Sequence, residues 1–216
     1  MATKRSLKGK RVLVTCGPTW VAIDDVRVIS NRSTGEMGQR IAGNLTKDGA
    51  KVTLLEGPIP HAFKSKSVRV IKFQFFDELK RLLREELRKK YDIIIHAAAV
   101  SDYLLSHTYG AKLSSGFSNI KLELVPTEKL IEKIKKICPG SFLVGFKLES
   151  DAKEELLRIK AGHLIRSAGC DLVVANCLSH GNYRAFIFDK DKNIVAKAMH
   201  RRGAARALVS LLKELS

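Results

Sequence analysis

The chain has 216 residues, with 39 lysines and arginines against 22 aspartates and glutamates, giving a formal charge of +17. A hydrophobic content of 45% excludes wholesale disorder, and the length favours one core. The charge indicates anionic partners without choosing a fold.

Residues 1–9 are expected to be a flexible terminus ahead of one domain over 10–216. RVLVTC at 11–16 predicts a first strand, and residues 38–48 a helix that Gly49 can end. Residues 51–55 and 68–73 predict the second and third strands. In 77–90, Leu79, Leu82, Leu83 and Leu87 form one apolar stripe beside i,i+4 charge pairs, which predicts a helix with a solvated face. Residues 91–96 predict a fourth strand, and 120–125 a short extended run. Thr127 is placed to cap a helix carrying Leu130, Ile131, Ile134 and Ile137. Strands at 142–148 and 171–175 flank a helix at 152–168. A hairpin of 184–188 with 193–197 and a helix over 200–215 complete the chain.

Val/Ile/Leu-rich strands separated by helices predict an α/β chain: a Rossmann-like three-layer fold with a mainly parallel sheet and a small C-terminal hairpin. Such a sheet places chemistry beyond the carboxyl ends of its strands. The polar, glycine-bearing stretch 103–119 is suited to act as an active-site flap. Cys16, Cys138, Cys170 and Cys177 form no CxxC pair, and only His180 lies close behind the last two, so free thiols are expected. No secretory segment or apolar run of about 20 residues is present, so a cytoplasmic chain without a membrane partner is expected.

The first glycine site departs from a dinucleotide fingerprint. Strand one ends at Gly17-Pro18-Thr19, but the helix begins only near Gly35–Gly38. A GxxG helix start still suits phosphate, with Asn31, Ser33 and Thr34 as further donors. Glu56 has the spacing of a ribose-binding acid, but a structural glutamate is the preferred reading. A Walker A sequence is absent.

Three blocks together resemble the phosphopantothenate–cysteine ligase (phosphopantothenoylcysteine synthetase) family: VTCGPTWVAIDDVRVISNRSTGEMG, AAAVSDY followed by AKLSS, and VGFKLES followed by DLVVANCL. The resemblance spans residue 11 to about 189. It implies ligation of 4′-phosphopantothenate to cysteine through an acyl-nucleotidylate, with Mg²⁺ and CTP, or ATP as the alternative. It assigns Asn31 and Lys112 catalytic roles. Gly17, Thr19, Ala98, Ala99, Asp102, Lys112 and Phe146 would bind nucleotide. Arg27, Asn31, Ser33, Thr34, Gly35, Gly38 and Ala99 would bind phosphopantothenate. No metal ligand is certain, and Asp102 is the one candidate. The resemblance also implies a homodimer, a free-standing synthetase or isolated synthetase domain, no flavin, and decarboxylation by a separate polypeptide.

The sequence departs from the family at three places. Leu164 and Ala168 occupy usual lysine positions, KLSS replaces KIKK in the flap with Ser114 and Ser115 for its later charges, and TEKL replaces TPDI. Two alternatives carry less. The basic segment 64–73 and the charged helix suit nucleic acid, yet no nucleic-acid-binding motif is present and nucleic acid is not the expected partner. An NAD(P)-dependent reductase lacks its fingerprint.

Overall fold

The computed structural model describes residues 6–114, 116, 118–179 and 181–215. The first half runs β1 (Arg11–Cys16), β2 (Trp20–Ala22), β3 (Val28–Ser30), α1 (Glu36–Lys47), β4 (Lys51–Glu56), β5 (Val68–Lys72), α2 (Phe76–Leu87) and β6 (Ile93–His96). The second runs β7 (Tyr103–Leu105), β8 (Leu124–Pro126), α3 (Ile131–Ile137), β9 (Phe142–Ser150), α4 (Glu154–Ala168), β10 (Leu172–Ser179), β11 (Asn182–Asp189), β12 (Ile194–Ala198) and α5 (Arg201–Leu215).

Eight strands form one sheet in the order β12-β11-β10-β9-β6-β1-β4-β5. The six from β10 to β5 are parallel, and β11 and β12 add an antiparallel edge. This is a mixed α/β fold with a mostly parallel sheet flanked by helices. Both faces are covered because strand residues alternate between them. Val12 and Val14 join α1 and α5 through Ile41, Leu45, Leu208 and Leu212. Leu13 and Ile94 join α2, α3 and α4 through Leu79, Leu83, Ile134 and Leu157. After β1 the chain builds β4 and β5 on one side, then returns to place β6 on the other. That reversal opens a crevice at the carboxyl ends of β1 and β6, where loops leave in opposite directions.

Several elements differ from the sequence expectation. The strands β2, β3 and β7 are additions, because three-residue strands are too short to show alternation, while β8 falls at the end of the extended run expected over 120–125. Both β9 and β10 run past the expected ends, since the register Ser150↔Leu178 and the pairing of Ser179 with Asn182 keep their backbone groups bonded. Thr127 does not cap α3. Its hydroxyl donates to the Ser101 carbonyl at 2.8 Å, and α3 starts after Leu130.

Residues 7–9 are tied to the body: Leu7 is fully buried, and the Gly9 N–H donates to the Gly49 carbonyl at 3.0 Å. Residues 1–5 of the expected flexible terminus, together with Ser115 and His180, lie outside the described residues. Among the described residues, no helix is long and apolar enough to cross a membrane.

Candidate functional site

The crevice is closed by backbone more than by side chains. Gly17 ends β1 at φ 81° and accepts the Ala99 N–H at 2.8 Å, while the Thr19 N–H reaches the Ala99 carbonyl at 3.3 Å. A side chain at Gly17 would meet the Gly57 backbone at 3.1 Å, so positive φ and close approach both call for glycine there. Thr15 Oγ1 accepts the Ala98 N–H at 3.1 Å and lies 3.1 Å from His96 Nδ1. Burial pushes the His96 pKa down to about 4, which keeps the ring neutral at ordinary pH.

Asn31 crosses this crevice. Its Nδ2 donates to the Ala99 carbonyl at 3.1 Å and the Val100 carbonyl at 3.3 Å. The segment from Ser33 to Gly35 then turns into α1. The Ser33 N–H donates to the Asn31 carbonyl, and Gly35 sits at the amino cap with φ 70° and no side-chain cap. At this amino end the Gly35 and Glu36 N–H groups make only long bonds, to the Ser33 and Thr34 hydroxyls at 3.4 and 3.5 Å, and the one first-turn acid, Glu36, is paired with Arg40, a setting that can take an anion. Gly38 has a packing role: a Cβ there would come within 2.4 Å of the Cys16 Cβ, so only glycine lets α1 lie this close to β1.

The structure brings Gly17, Asn31, Ser33, Gly35, Ala98 and Ala99 together. Other expected residues are placed differently. Thr19 is fully buried, and its hydroxyl accepts the Ser101 N–H at 2.9 Å. Phe146 packs partly buried against the core beneath α1 and α5. Asp102, the candidate metal ligand, is ion-paired with Lys129 at 2.5 Å. Among the described residues, no group of three His, Cys, Asp or Glu could hold a metal. Leu164 and Ala168 lie in the core between α4 and the sheet, which accounts for their apolar character.

Arg27 is engaged through Asp24 and the 103–119 loop: its Nη2 donates to the Leu113 carbonyl at 2.6 Å and its Nε lies 3.6 Å from Asp24 Oδ2. Burial alone would raise the Asp24 pKa. The amides of Leu113, Val26 and Arg27 and the Arg27 charge outweigh it and hold the carboxyl below its usual range. Lys112, next to Leu113, is exposed. Sequence reasoning missed the Asp24 contact because Asp24 and Leu113 are 89 positions apart. It also passed over Asn176 on β10, whose buried Oδ1 has no hydrogen-bond partner among the described residues.

Residues 7–215 match the family described as the DNA/pantothenate metabolism flavoprotein C-terminal domain. The chain is 43% identical over 177 residues to a coenzyme A biosynthesis bifunctional protein CoaBC of Thermococcus kodakarensis, covering 81% of this chain and 43% of that protein. It is 34% identical over 213 residues to a cysteine/cysteine sulfinic acid decarboxylase of an unknown prokaryotic organism, covering 95% of this chain and 58% of that one. The solved DNA/pantothenate metabolism flavoprotein of Streptococcus pneumoniae superposes with a TM-score of 0.85 at 28% identity, covering 96% of this chain and all of that one. The chain thus spans about half the length of these curated relatives.

These findings correct the ligase reading. The matched proteins are named as flavoproteins, a bifunctional protein and a decarboxylase, so a free-standing phosphopantothenate–cysteine ligase is not what they support. The acyl-nucleotidylate route and the CTP, ATP and Mg²⁺ requirements fall with it. The expected absence of flavin is overturned by the family's description. The expectation of decarboxylation by a separate polypeptide is not supported either, since a relative matched over 95% of this chain, and itself covered to 58%, is named a decarboxylase. The chain belongs to the family of the DNA/pantothenate metabolism flavoprotein C-terminal domain.

Proposed function

We propose that this chain is an enzyme domain of coenzyme A biosynthesis that holds a phosphorylated, pantothenate-derived substrate at the crevice beyond β1 and β6. The strand order supports reading the fold as Rossmann-like, with residues 10–216 as one domain and 103–119 as its flap. The observation that carries the reading is Asn31, whose amide joins the segment before α1 to the Ala99 and Val100 carbonyls. This bond places the uncapped amino end of α1 and the small Ala98–Ala99 turn around one opening. Ser33, Thr34, Gly35 and the first turn of α1 would receive phosphate, while Ala98 and Ala99 let the rest of the substrate lie close to backbone. Lys112 would add an exposed positive charge from the flap, and Asp102 is paired with Lys129.

The family's description raises a flavin. A flavin mononucleotide brings a phosphate and a flat tricyclic ring. The glycine turn and α1 suit the phosphate, but the described aromatics near this edge are committed elsewhere. Trp20 packs edge-on against Phe75 at 6.2 Å, and Phe146 is in the core. The neighbouring cavity of about 390 Å³ beyond β4 and β5 carries Glu56 and Glu78 against one cation, Lys72, a balance that disfavours an anion. The described residues therefore fit the phosphate of a flavin and not its ring, and no chemical step is assigned to it.

The test is isothermal titration of the full chain with 4′-phosphopantothenate, alongside flavin mononucleotide. Saturable binding of phosphopantothenate is expected, weakened about 10-fold by Asn31→Ala through loss of a cross-crevice hydrogen bond. Absent binding, or an unchanged affinity in Asn31→Ala, overturns the reading. A second reading, decarboxylation of a cysteine-type acid, is favoured by the name of the relative covering 95% of the chain. Release of carbon dioxide from cysteine with flavin present is its readout.

A further inference from the structure

We propose that Asp24 and Arg27 are positioning residues that clasp the 103–119 loop at Leu113 and thereby set Lys112 over the crevice. The proposal deepens the phosphate-binding reading and rests on it for the ligand. Leu113 is gripped on both sides of its residue: its N–H donates to Asp24 Oδ2 at 3.1 Å, and its carbonyl accepts from Arg27 Nη2 at 2.6 Å. A third bond, from the Tyr109 N–H to the Ile23 carbonyl at 3.0 Å, holds the same loop to the same turn.

The two Asp24 oxygens have separate tasks. Oδ1 accepts the Val26 and Arg27 amides at 2.8 and 2.7 Å and so builds the turn between β2 and β3. Oδ2 is left for the loop. A turn of this kind needs only one acceptor, as an asparagine would supply. The second anionic oxygen, buried beside a guanidinium, is explained by the amide it takes from 89 residues away.

The clasp is anchored to the site. The Trp20 N–H donates to the Gln74 carbonyl at 2.8 Å, fixing β2 to the body. The strand β3 pairs with β2 and leads directly into Asn31. Crevice and flap therefore share one rigid mount. Lys112 is exposed and adjoins the gripped residue, so holding its backbone lowers the ordering cost of bringing the ammonium group to an anion.

Asp24→Asn tests this directly. The amide can keep Oδ1 for the turn, but it presents an NH₂ to the Leu113 N–H, two donors facing each other. Hydrogen exchange in the full chain should rise about 10-fold or more at the amides of 109–113, with β1 amides unchanged. Arg27→Gln, which spares the Asp24 turn, should accelerate the same amides and decides the matter should Asp24→Asn fail to fold. In titrations with 4′-phosphopantothenate, Asp24→Asn should weaken binding about 5-fold when Lys112 is present and less than about 2-fold in a Lys112→Ala background. Unchanged exchange, or the same loss in both backgrounds, overturns the proposal. If the unaltered chain does not bind this probe, the functional reading falls, and exchange alone still decides whether the clasp exists.

Discussion

The two ends of the parallel sheet handle polarity in opposite ways. At the amino ends of β1, β4 and β5, an open groove of about 660 Å³ is lined by Arg11, Lys51, Lys66, Arg69 and Tyr91. Of these cations, Arg69 is ion-paired, with Glu86 behind the groove. Buried Glu86 accepts from Arg69 at 3.0 and 3.1 Å, from Lys89 at 2.7 Å and from the Tyr91 hydroxyl at 2.6 Å. Burial opposes the Glu86 charge, but Lys89, Tyr91 and Arg69 together hold its pKa below the ordinary range. Tyr91, buried against that carboxylate, is pushed up to about 12. At the carboxyl ends, Asn31, glycine turns and backbone amides frame the crevice. The larger cavity lies among cations, of which Arg69 is paired, and the candidate site lies where glycines and backbone groups from two loops converge. Cavity size and formal charge thus point away from the site, and the reversal of strand order between β1 and β6 points toward it.

This contrast can be broken at either end. The largest effect is expected from Gly38→Ala, which drives a Cβ to within 2.4 Å of the Cys16 Cβ and must displace α1. A loss of about 3 kcal/mol or more is expected in denaturant melts, with loss of phosphopantothenate binding. A melt close to that of the unaltered chain would mean that α1 is not fixed by this contact.

Next comes His96. Its folded pKa, lowered by burial to about 4, lies below the ordinary value of 6.5. The unfolded chain therefore binds the extra proton first as pH falls. Stability from the neutral ring is complete above about pH 6.5 and declines toward pH 4, a span of roughly 3 kcal/mol. His96→Gln should flatten that slope in melts between pH 4 and 7. An unaltered slope would place the titration elsewhere.

The smallest effect is expected at the amino end. Glu86→Gln should cost about 1–2 kcal/mol, because Arg69 and Lys89 are half exposed and water replaces part of the lost attraction. It should leave phosphopantothenate affinity within about 2-fold. A loss as large as that of Asn31→Ala would erase the distinction between the two ends.

Much of this organisation is legible in the chain itself. RVLVTC is β1 residue for residue, and the leucine stripe of 77–90 becomes α2 with Leu79, Leu82, Leu83 and Leu87 buried. These patterns are local, repeat at the strand or helix period, and carry their own end signals. Of the crevice residues, Asn31 and Gly35 are visible as a polar and glycine cluster before α1, whereas Ala99 comes only with the family resemblance. Thr19, Phe146 and Asp102 come from the same resemblance, and the structure adds contacts that it does not state: Thr19 bonds Ser101, Phe146 packs against the core, and Asp102 pairs with Lys129. A residue's type and spacing do not state which neighbour it meets.

The sequence by itself determined the α/β class, most strand and helix positions, and which glycines gather at the turns after β1 and before α1, since all three follow from local periodicity and backbone freedom. Only the tertiary structure decided that Asn31 reaches the β6 loop, that Asp24 and Arg27 grip Leu113, and that most of the described cation-rich groove lies at the other end of the sheet. Those outcomes join residues 68 to 89 positions apart, or separate residues that look alike in sequence. Strand order sets them by bringing β1 and β6 side by side, and no local pattern records that order.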